Sequence, residues 1–463
     1  MTVRHDTALL ARLAGVLPQA ALLTGTTIGP RYQEDLRNRH SAPPRFVLRP
    51  GTTGEVSAAL AICHQFGQPL AIQGGRTGLS GGHRVQTGEA VLSLERLTDL
   101  DAPDPDSQTI LAGAGVALQR VQEAAEAAGL ICGVDIGARG TATVGGNIAT
   151  NAGGIRVLRY GMFRAQVAGL EAVLADGTVL SSLRGLDKDN SGYDLKQLFI
   201  GSEGTLAVVT QARLRLHPRP AFEANAFLAL PSVEAALDLL RRLRAEWGNM
   251  LSAYEFLLEG VYHGVTRFLG MTPPLATPAP VYVLVEAQSA TPEMPAFMDT
   301  LAATIDEGLV LDAVIAQSRR EFLTLWKLRD GCADYLRGQA DVGSGDISVP
   351  LPRIPDFLRD SRQDLSQIDP GAQFLTFGHL ADGNLHYVFR STRKDQVLDR
   401  LMRIVAAHGG SISAEHGIGM DKKPWLPLAR STAEIGTMRA LKRALDPRGI
   451  LNPGRIFDAS ARD

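Results

Sequence analysis

The fold is decided by the stretch Gly74-Gly75-Arg76-Thr77-Gly78-Leu79-Ser80-Gly81-Gly82, which follows a short apolar segment and contains five glycines in nine residues. Glycine allows positive φ angles and lets backbone N–H groups approach a ligand without an intervening Cβ. A row of such N–H groups binds anions such as a pyrophosphate. A plain flexible loop is the alternative, although a linker would repeat glycine and serine. No GxxxxGK(S/T) motif occurs and no helical pattern follows Gly82, so the run is neither a P-loop nor a typical dinucleotide fingerprint.

A second glycine-rich stretch begins at Gly133 and ends with Gly140-Thr141-Ala142-Thr143-Val144-Gly145-Gly146-Asn147-Ile148-Ala149-Thr150-Asn151-Ala152-Gly153-Gly154. Its apolar residues are small, and its polar residues are threonine and asparagine. Such a composition lets the backbone lie flat against a large planar ligand while short polar side chains reach ring heteroatoms. A packed glycine turn, the alternative, accounts for only one or two of these glycines. A third segment, Gly201-Ser202-Glu203-Gly204-Thr205-Leu206, completes the set.

The segments around the glycine runs predict an α+β fold, because patterns of strand and helix periodicity alternate along the chain. In the first half we predict strands at 46–49, 69–72, 91–94, 109–111 and 206–216, helices at 55–66 and 116–128, and a hairpin at 171–181 turned at Asp-Gly. The proline-rich segment 217–220 is predicted to be a linker. Beyond it we predict strands at 227–230 and 280–286 and helices at 233–247 and 433–444. The predicted domains are 1–218, 219–425 and 426–463.

The composition is that of an ordinary globular protein of 463 residues with a formal net charge of −2. No overall basic field favours nucleic acid or an anionic membrane as a partner, and no apolar run reaches the roughly 18 residues of a membrane span. Three widely spaced cysteines argue against a disulfide framework and a thiolate metal site, and they favour a cytoplasmic protein. The leucines of residues 9–17 have the spacing of an amphipathic helix, so we do not expect a signal peptide.

The segment 377–387 contains two histidines on either side of Asp382-Gly383, a strong signal for a two-residue hairpin turn. Counting outward from that turn pairs His379 with His386, and directly opposed residues have Cβ atoms about 5 Å apart. Two imidazoles placed in this way can chelate one divalent ion, which then needs an oxygen ligand as well. The alternative is that each histidine is an ordinary surface or core residue.

An oxygen ligand is offered by the segment 411–419, in which Glu415 and His416 are adjacent and are flanked by small and apolar residues. Adjacent side chains of an extended segment point in different directions. One of the two can therefore serve a metal ion while the other serves a substrate.

The order of these motifs resembles that of flavoenzymes of the vanillyl-alcohol oxidase and p-cresol methylhydroxylase type over nearly the whole chain. The end of the chain, ALKRALDPRGILNPGRIF at 440–457, matches their C-terminal signature. The resemblance implies a bipartite FAD-binding α+β domain in about 1–218, an antiparallel-sheet cap domain that binds substrate and metal, and a C-terminal segment that returns to the flavin.

The resemblance also implies which residues hold FAD. The stretch 74–82 is expected at the pyrophosphate, and the residues expected to line the flavin are Asn147, Thr150, Asn151 and Gly154. Glu203, Gly204 and Val208 are expected on the adenosine side. Further cofactor-binding residues by resemblance are Asp135, Gly140, Thr143, Gly146 and Asn452. Covalent members have a histidine after the first Gly-Gly pair; Arg76 stands there in this chain, so the resemblance implies non-covalent FAD, with His83 as the alternative attachment point.

The motifs GHLADGNLHY and SAEHGIG resemble the subgroup that acts on D-2-hydroxy acids, namely D-lactate, glycolate and D-2-hydroxyglutarate dehydrogenases. The resemblance implies a divalent metal, zinc or manganese, on His379, His386 and Glu415, and His416 as the catalytic base. It implies hydride transfer from C2 of the substrate to the flavin, which leaves a 2-keto acid. Arg329, in Leu325-Trp326-Lys327-Leu328-Arg329-Asp330, is implied as the partner of the substrate carboxylate, with an ordinary helix-surface arginine as the alternative.

One departure concerns the substrate. The hydroxyglutarate enzymes carry a basic residue shortly before an Asp-x-Ser-x-Pro run, whereas this chain has Gly343-Ser344-Gly345 before Asp346. A dicarboxylate therefore loses one expected partner. The electron acceptor is expected to be a redox protein or a quinone, and a homodimer is considered. The alternatives are a flavin subunit of a larger glycolate oxidase-type complex and an aryl-alcohol or sugar-lactone oxidase on the same fold.

Overall fold

The computed structural model describes residues 2–37 and 39–458. The chain forms two compact units. The first consists of Met1–Gly153, Met162–Pro218 and Glu415–Asp463, and the second of Gly154–Gly161 and Arg219–Ala414. The domain boundaries predicted at 218 and 425 remain predictions, separate from this division into compact units. Within the described ranges, no helix has the length and apolar character needed to cross a bilayer.

The first unit contains a mixed four-stranded sheet, an antiparallel four-stranded sheet and a two-stranded pair. Its strands are β1 (Leu22–Leu23), β2 (Val47–Leu48), β3 (Leu70–Gln73), β4 (Ala90–Ser93), β5 (Thr109–Gly113), β6 (Leu130–Ile131), β7 (Val167–Val173), β8 (Val179–Ser182), β9 (Val208–Arg215) and β10 (His217–Pro218). The strand orders are β1-β2-β4-β3, β5-β9-β7-β8 and β10-β6. The linker prediction for 217–220 is wrong at its start, because His217 and Pro218 pair with β6.

The two units together contain fifteen α-helices within the described residues. They are α1 (Thr2–Ala14), α2 (Thr53–Phe66), α3 (Leu118–Ala127), α4 (Val144–Thr150), α5 (Val157–Tyr160), α6 (Phe163–Gln166), α7 (Lys196–Phe199), α8 (Val233–Trp247), α9 (Glu259–Phe268), α10 (Met294–Asp306), α11 (Arg319–Arg337), α12 (Ile354–Ile368), α13 (Lys394–Ala407), α14 (Leu426–Ala429) and α15 (Thr432–Leu445). The predicted helix at 233–247 is confirmed at both ends by α8.

Local capping explains where several helices begin and end. The hydroxyl of Thr52 accepts the N–H of Glu55 at the start of α2, and Gly67 ends that helix with a left-handed φ of 63°. At α15, Ser431 and Glu434 form a reciprocal capping box. These contacts fix α2, which precedes the first glycine run, and α15, which precedes the C-terminal segment.

The C-terminal segment adds to the mixed sheet of the first unit. Leu451 forms a parallel bridge with Leu70 of β3, and the side chain of Asp446 accepts the N–H groups of Ile450 and Leu451. The side-chain oxygen of Asn452 accepts the N–H of Ile72 at 2.8 Å. The predicted return of the chain end to the first half of the sequence is confirmed, and it carries Asn452 to the carboxyl end of β3.

The second unit is built on one seven-stranded sheet. Its strands are β11 (Phe222–Leu230), β12 (Leu251–Leu258), β13 (Val281–Ser289), β14 (Asp312–Ile315), β15 (Val342–Ser348), β16 (Gln373–His379) and β17 (Asn384–Arg390). Their order is β14-β11-β13-β12-β16-β17-β15. Every neighbouring pair is antiparallel, which confirms the predicted antiparallel sheet.

Candidate active site

A pocket in the first unit is lined by residues of both glycine runs. Predicted residues that line it are Gly74, Gly75, Arg76, Thr77, Gly78, Ser80, Thr143, Gly146, Asn147, Thr150, Glu203, Gly204, Val208, Asn452 and His416. Gly82, the last residue of the predicted pyrophosphate stretch, and His83, the alternative attachment point, line it as well. Lining residues that the sequence did not single out are Ile72, Leu94, Ala142, Gly145, Ala149, Phe199, Ser202, Ala207 and Val209. The apolar members of this last group cannot be told from core residues by sequence alone, but Ala142, Gly145 and Ala149 lie within the second glycine-rich stretch.

The two glycine runs are in direct contact where they line the pocket. A Cβ added to Gly75 would lie 2.0 Å from the carbonyl oxygen of Thr141, and one added to Gly74 would lie 2.6 Å from the hydroxyl of Thr143. The side-chain Nδ2 of Asn147 is buried and has no hydrogen-bond partner among the described residues. A buried donor without an acceptor costs free energy, so this amide is suited to a ring or phosphate oxygen of a flavin dinucleotide.

Gly75→Ala is expected to lower both FAD content and thermal stability, because the added methyl meets backbone that cannot move aside as a side chain would. Overpacking of this kind typically costs about 1–3 kcal/mol. The measurements are the flavin-to-protein absorbance ratio and a thermal melt. Gly137→Ala is the matched control, since nothing lies within 4 Å of its added Cβ. Equal flavin content in the two variants would contradict the close approach of the runs.

Six predicted cofactor residues do not line this pocket; they are Leu79, Gly81, Asp135, Gly140, Asn151 and Gly154. The structure shows other contacts for two of them. Asp135 accepts from Arg139 at 2.6 Å, and Asn151 ends α4 in the left-handed region while its side chain accepts the N–H of Arg164. Gly154 belongs to the second unit.

The loop that carries His416 is fixed by backbone hydrogen bonds within the first unit. The carboxylate of Glu203 accepts the N–H groups of Ile418 and Gly419, each at 2.7 Å. The hydroxyl of Ser80 donates to the carbonyl of Gly417 at 2.9 Å. Burial raises the pKa of Glu203, and the two backbone donors oppose that rise. The first glycine run and Glu203 therefore hold His416 at the pocket.

The predicted register of the 377–387 hairpin is wrong. The chain makes a 3₁₀ turn at Leu380–Asp382 and reverses at Gly383, whose φ is 78°. His379 therefore pairs with Asn384, and His386 pairs with Phe377. The hairpin loop is longer than the Asp-Gly pair because three residues before Gly383 take part in the turn.

The two histidines nevertheless meet. They are diagonal neighbours on one face of the sheet, within the reach of long or aromatic side chains. Their ring centroids lie 5.2 Å apart, and each offers a ring nitrogen within 4.8 Å of the other. Ring nitrogens this close are candidate ligands for one divalent ion, for which metal–nitrogen distances are about 2.0–2.1 Å.

A buried carboxylate that the sequence analysis missed lies beside this pair. Glu255 of β12 is 1% exposed, and its Oε1 lies 2.6 Å from Nδ1 of His379. Its Oε2 accepts from Nε of Arg329 at 2.6 Å. Burial raises the pKa of Glu255, but its contacts with His379 and Arg329 outweigh that effect and leave the pKa below its usual value. No sequence signal marked Glu255, because its partners lie far along the chain.

Arg329 is buried, with 7% of its surface exposed, so the helix-surface alternative is wrong. Its Nη2 lies 3.4 Å from Nε2 of His379, and its guanidinium lies over the ring of Phe377 at 4.9 Å. Burial lowers the pKa of Arg329, but the charge of Glu255 more than compensates. The guanidinium is therefore charged and next to the histidine pair.

One of the residues that stand where a basic residue was expected, Gly343, is closely packed. A Cβ on Gly343 would lie 2.3 Å from the ring of Phe389. Farther along β15, Asp346 pairs with His386, and its Oδ1 lies 3.9 Å from Nδ1 of that histidine. The N–H of Ala414 donates to the carbonyl of Asp346 at 3.3 Å. This hydrogen bond fixes the backbone of Ala414 next to β15, and Glu415 is the residue that follows Ala414 in the chain.

Comparisons with known proteins agree with this architecture. Residues 219–456 match the family model described as FAD linked oxidases, C-terminal domain, and residues 44–182 match the one described as FAD binding domain. This chain belongs to the FAD-linked oxidases. The predicted resemblance to flavoenzymes of the vanillyl-alcohol oxidase and p-cresol methylhydroxylase type is thereby confirmed, and the protein is an FAD-dependent oxidoreductase.

Two curated relatives of this FAD-linked oxidase are both named D-2-hydroxyglutarate dehydrogenase. The mitochondrial D-2-hydroxyglutarate dehydrogenase of Bos taurus is 37% identical and the match covers 98% of this chain and 84% of the relative. The D-2-hydroxyglutarate dehydrogenase of Xanthomonas citri is 38% identical, with 96% of each chain covered. The structure of p-cresol methylhydroxylase with bound substrate has a TM-score of 0.79 at 14% identity and covers 99% of this chain and 98% of that chain. That last likeness concerns the fold.

Proposed function

We propose that this FAD-linked oxidase uses FAD and a divalent metal ion to oxidise a D-2-hydroxy acid to the corresponding 2-keto acid. The observation that carries the proposal is the pair His379 and His386 with a buried carboxylate and a buried guanidinium beside it. A chelating pair next to a cation suits a substrate that has a hydroxyl and a carboxylate on neighbouring carbons.

The proposed metal ligands are His379, His386 and Glu415. Glu415 is supported by its position directly after Ala414, whose N–H is bound to the carbonyl of Asp346 opposite His386. Imidazole and carboxylate ligands suit zinc or manganese. When bound, the ion lowers the pKa of a coordinated hydroxyl and fixes its orientation.

Arg329 and His416 are the proposed catalytic residues. Arg329 uses its Nε on Glu255, and its Nη2 lies 3.4 Å from Nε2 of His379. The Nη side of the guanidinium is the proposed partner of the substrate carboxylate beside that histidine. His416, at the flavin pocket, takes the proton of the substrate hydroxyl. Bound FAD supplies the acceptor for the hydride that leaves C2.

The substrate class includes D-2-hydroxyglutarate and D-lactate. The names of the relatives favour the first, and the packing of Gly343 against Phe389 where a basic residue was expected favours a smaller acid. The histidine pair favours an active dehydrogenase over a flavin subunit without turnover or an aryl-alcohol or sugar-lactone oxidase, which have no need of a chelating pair. The proposed electron acceptor is a redox protein or a quinone.

The test of this function is a panel of D- and L-2-hydroxy acids, with aryl alcohols and sugar lactones for comparison, assayed with an artificial electron acceptor. Turnover with D acids and formation of the matching 2-keto acid support the proposal. Turnover restricted to aryl alcohols or sugar lactones would contradict it. The cytoplasmic location inferred from the sparse cysteines stays a prediction, and the bovine relative is named a mitochondrial enzyme.

Acid precipitation of the purified protein is expected to leave the yellow flavin in the supernatant. Arg76 occupies the position of the histidine in covalent members, and its guanidinium lies 6.0 Å from the ring of Tyr32. His83 lines the same pocket and is 8% exposed. The measurement is the absorbance spectrum of supernatant and pellet. Yellow colour in the pellet that disappears in His83→Ala would show a covalent link instead.

A further inference from the structure

Glu255 contacts two residues that the proposed function uses. One carboxylate oxygen faces Nδ1 of His379 and the other accepts from Nε of Arg329, both at 2.6 Å. β12 is otherwise a buried strand of mainly apolar residues. Burying a carboxylate there is costly unless both oxygens have partners. An ion pair with Arg329 alone would not require the second oxygen to face an imidazole.

The contact with His379 decides which ring nitrogen carries the proton. A carboxylate is an acceptor, so the neutral imidazole must present Nδ1–H to it and keep its lone pair on Nε2. A carboxylate behind a metal-binding histidine raises the basicity of the ligand nitrogen and fixes the ring. The same carboxylate fixes Arg329, because Nε is held while Nη2 lies 3.4 Å from Nε2 of His379.

We propose that Glu255 is a positioning residue that sets the Nδ1–H tautomer of His379 and the orientation of Arg329 at once. This inference rests on the proposed function, in which His379 binds a metal ion and Arg329 binds the substrate carboxylate. The carboxylate of Glu255 thereby fixes both the nitrogen of His379 that would bind the metal and the guanidinium of Arg329 that would bind the substrate.

Glu255→Gln tests this inference because the two partners impose opposite demands on an amide. Arg329 has only donors, so the amide oxygen must turn to its Nε. The amide N–H₂ then faces Nδ1 of His379, which must become an acceptor. The proton consequently moves to Nε2, and the lone pair that binds the metal is lost.

The experiment has two readouts on the full-length flavoprotein. The first is ¹⁵N NMR of histidine side chains after chelator treatment, with His379→Ala for assignment. We expect the Nδ1–H form in the wild type and the Nε2–H form in Glu255→Gln. The second is competition for Zn²⁺ with a chromophoric chelator, for which loss of such a partner typically weakens affinity by about 10–100-fold.

Glu286→Gln is the matched control. Glu286 is a second carboxylate buried in the same sheet, but its partners are Arg156, Trp326 and Ser252. This variant should lower thermal stability without changing the tautomer of His379 or the affinity for Zn²⁺. It therefore separates a general effect of disturbing a buried carboxylate from the specific effect on His379.

The outcomes separate this inference from the proposed function. A tautomer that inverts in Glu255→Gln while the wild type binds no Zn²⁺ would support the role of Glu255 and overturn the metal site. An unchanged tautomer in a folded Glu255→Gln, or in Glu255→Leu if the glutamine variant does not fold, would overturn the inference. Equal Zn²⁺ affinity of folded Glu255→Gln and wild type would overturn it as well.

Discussion

His386→Ala is expected to lower turnover of a D-2-hydroxy acid by roughly a thousandfold while the flavin stays bound. Lewis-acid stabilisation of a developing negative charge is worth several kcal/mol, and each 1.4 kcal/mol corresponds to a factor of ten in rate. His386 lies on β17 of the second unit, whereas the residues that line the pocket proposed for the flavin belong to the first. Loss of metal should therefore leave the flavin spectrum and flavin content unchanged.

Chelation of the wild type should reproduce this loss, and added Zn²⁺ or Mn²⁺ should restore activity. The same addition should not restore His386→Ala. His263→Ala is the matched control, since His263 lies on α9 of the same unit with 47% of its side chain exposed. If His386→Ala retained a near-normal rate after chelation, the assignment of the histidine pair to a metal would fail.

The register of the hairpin shows why a wrong local prediction still gave a correct neighbourhood. The Asp-Gly signal was taken as the whole turn, whereas Leu380–Asp382 form a 3₁₀ turn that precedes Gly383. The pairing consequently shifts from His386 to Asn384 as the partner of His379. A shift of two residues keeps every side chain on its face, whereas a shift of one would have reversed them. The histidines therefore remain neighbours.

Glu255 shows what the sequence could not predict. The eight residues of β12 have the apolar pattern of a buried strand. Nothing in that pattern tells whether the carboxylate of Glu255 contacts functional side chains or simply faces solvent. Its partner His379 is 124 positions away, and Arg329 is 74 positions away. Such contacts depend on the order β12-β16 in the sheet, which a single sequence does not determine.

The glycine runs, by contrast, could be singled out from the sequence, because the cofactor contacts proposed for them are made by backbone groups. Gly75 has no room for a side chain against Thr141. The presence of glycine at this position is therefore itself a sign of close backbone contact. The apolar residues of the pocket, such as Ile72, Leu94 and Phe199, could not be selected. A side chain that faces a ligand and one that faces the core have the same composition and period.

His416→Ala is expected to slow anaerobic reduction of the flavin by a D-2-hydroxy acid by about 10²–10⁴-fold, the usual cost of losing a general base. Glu203 and Ser80 hold the loop through backbone groups at 417–419, so removing the imidazole should not unfold it. Metal affinity and substrate binding should survive better than the rate. The measurement is bleaching of the flavin absorbance in a stopped-flow instrument, with His217→Ala as control because His217 does not line the pocket.

The same experiment tests handedness. A partner for the carboxylate, a base for the hydroxyl and an acceptor for the hydride place three requirements on the substituents of C2, and one enantiomer meets all three. The names of the relatives indicate the D form. L acids should therefore leave the flavin oxidised in both wild type and His416→Ala. Equal bleaching by D and L acids would defeat the proposed arrangement of Arg329 and the metal ligands, and undiminished bleaching in His416→Ala would remove that histidine from the mechanism.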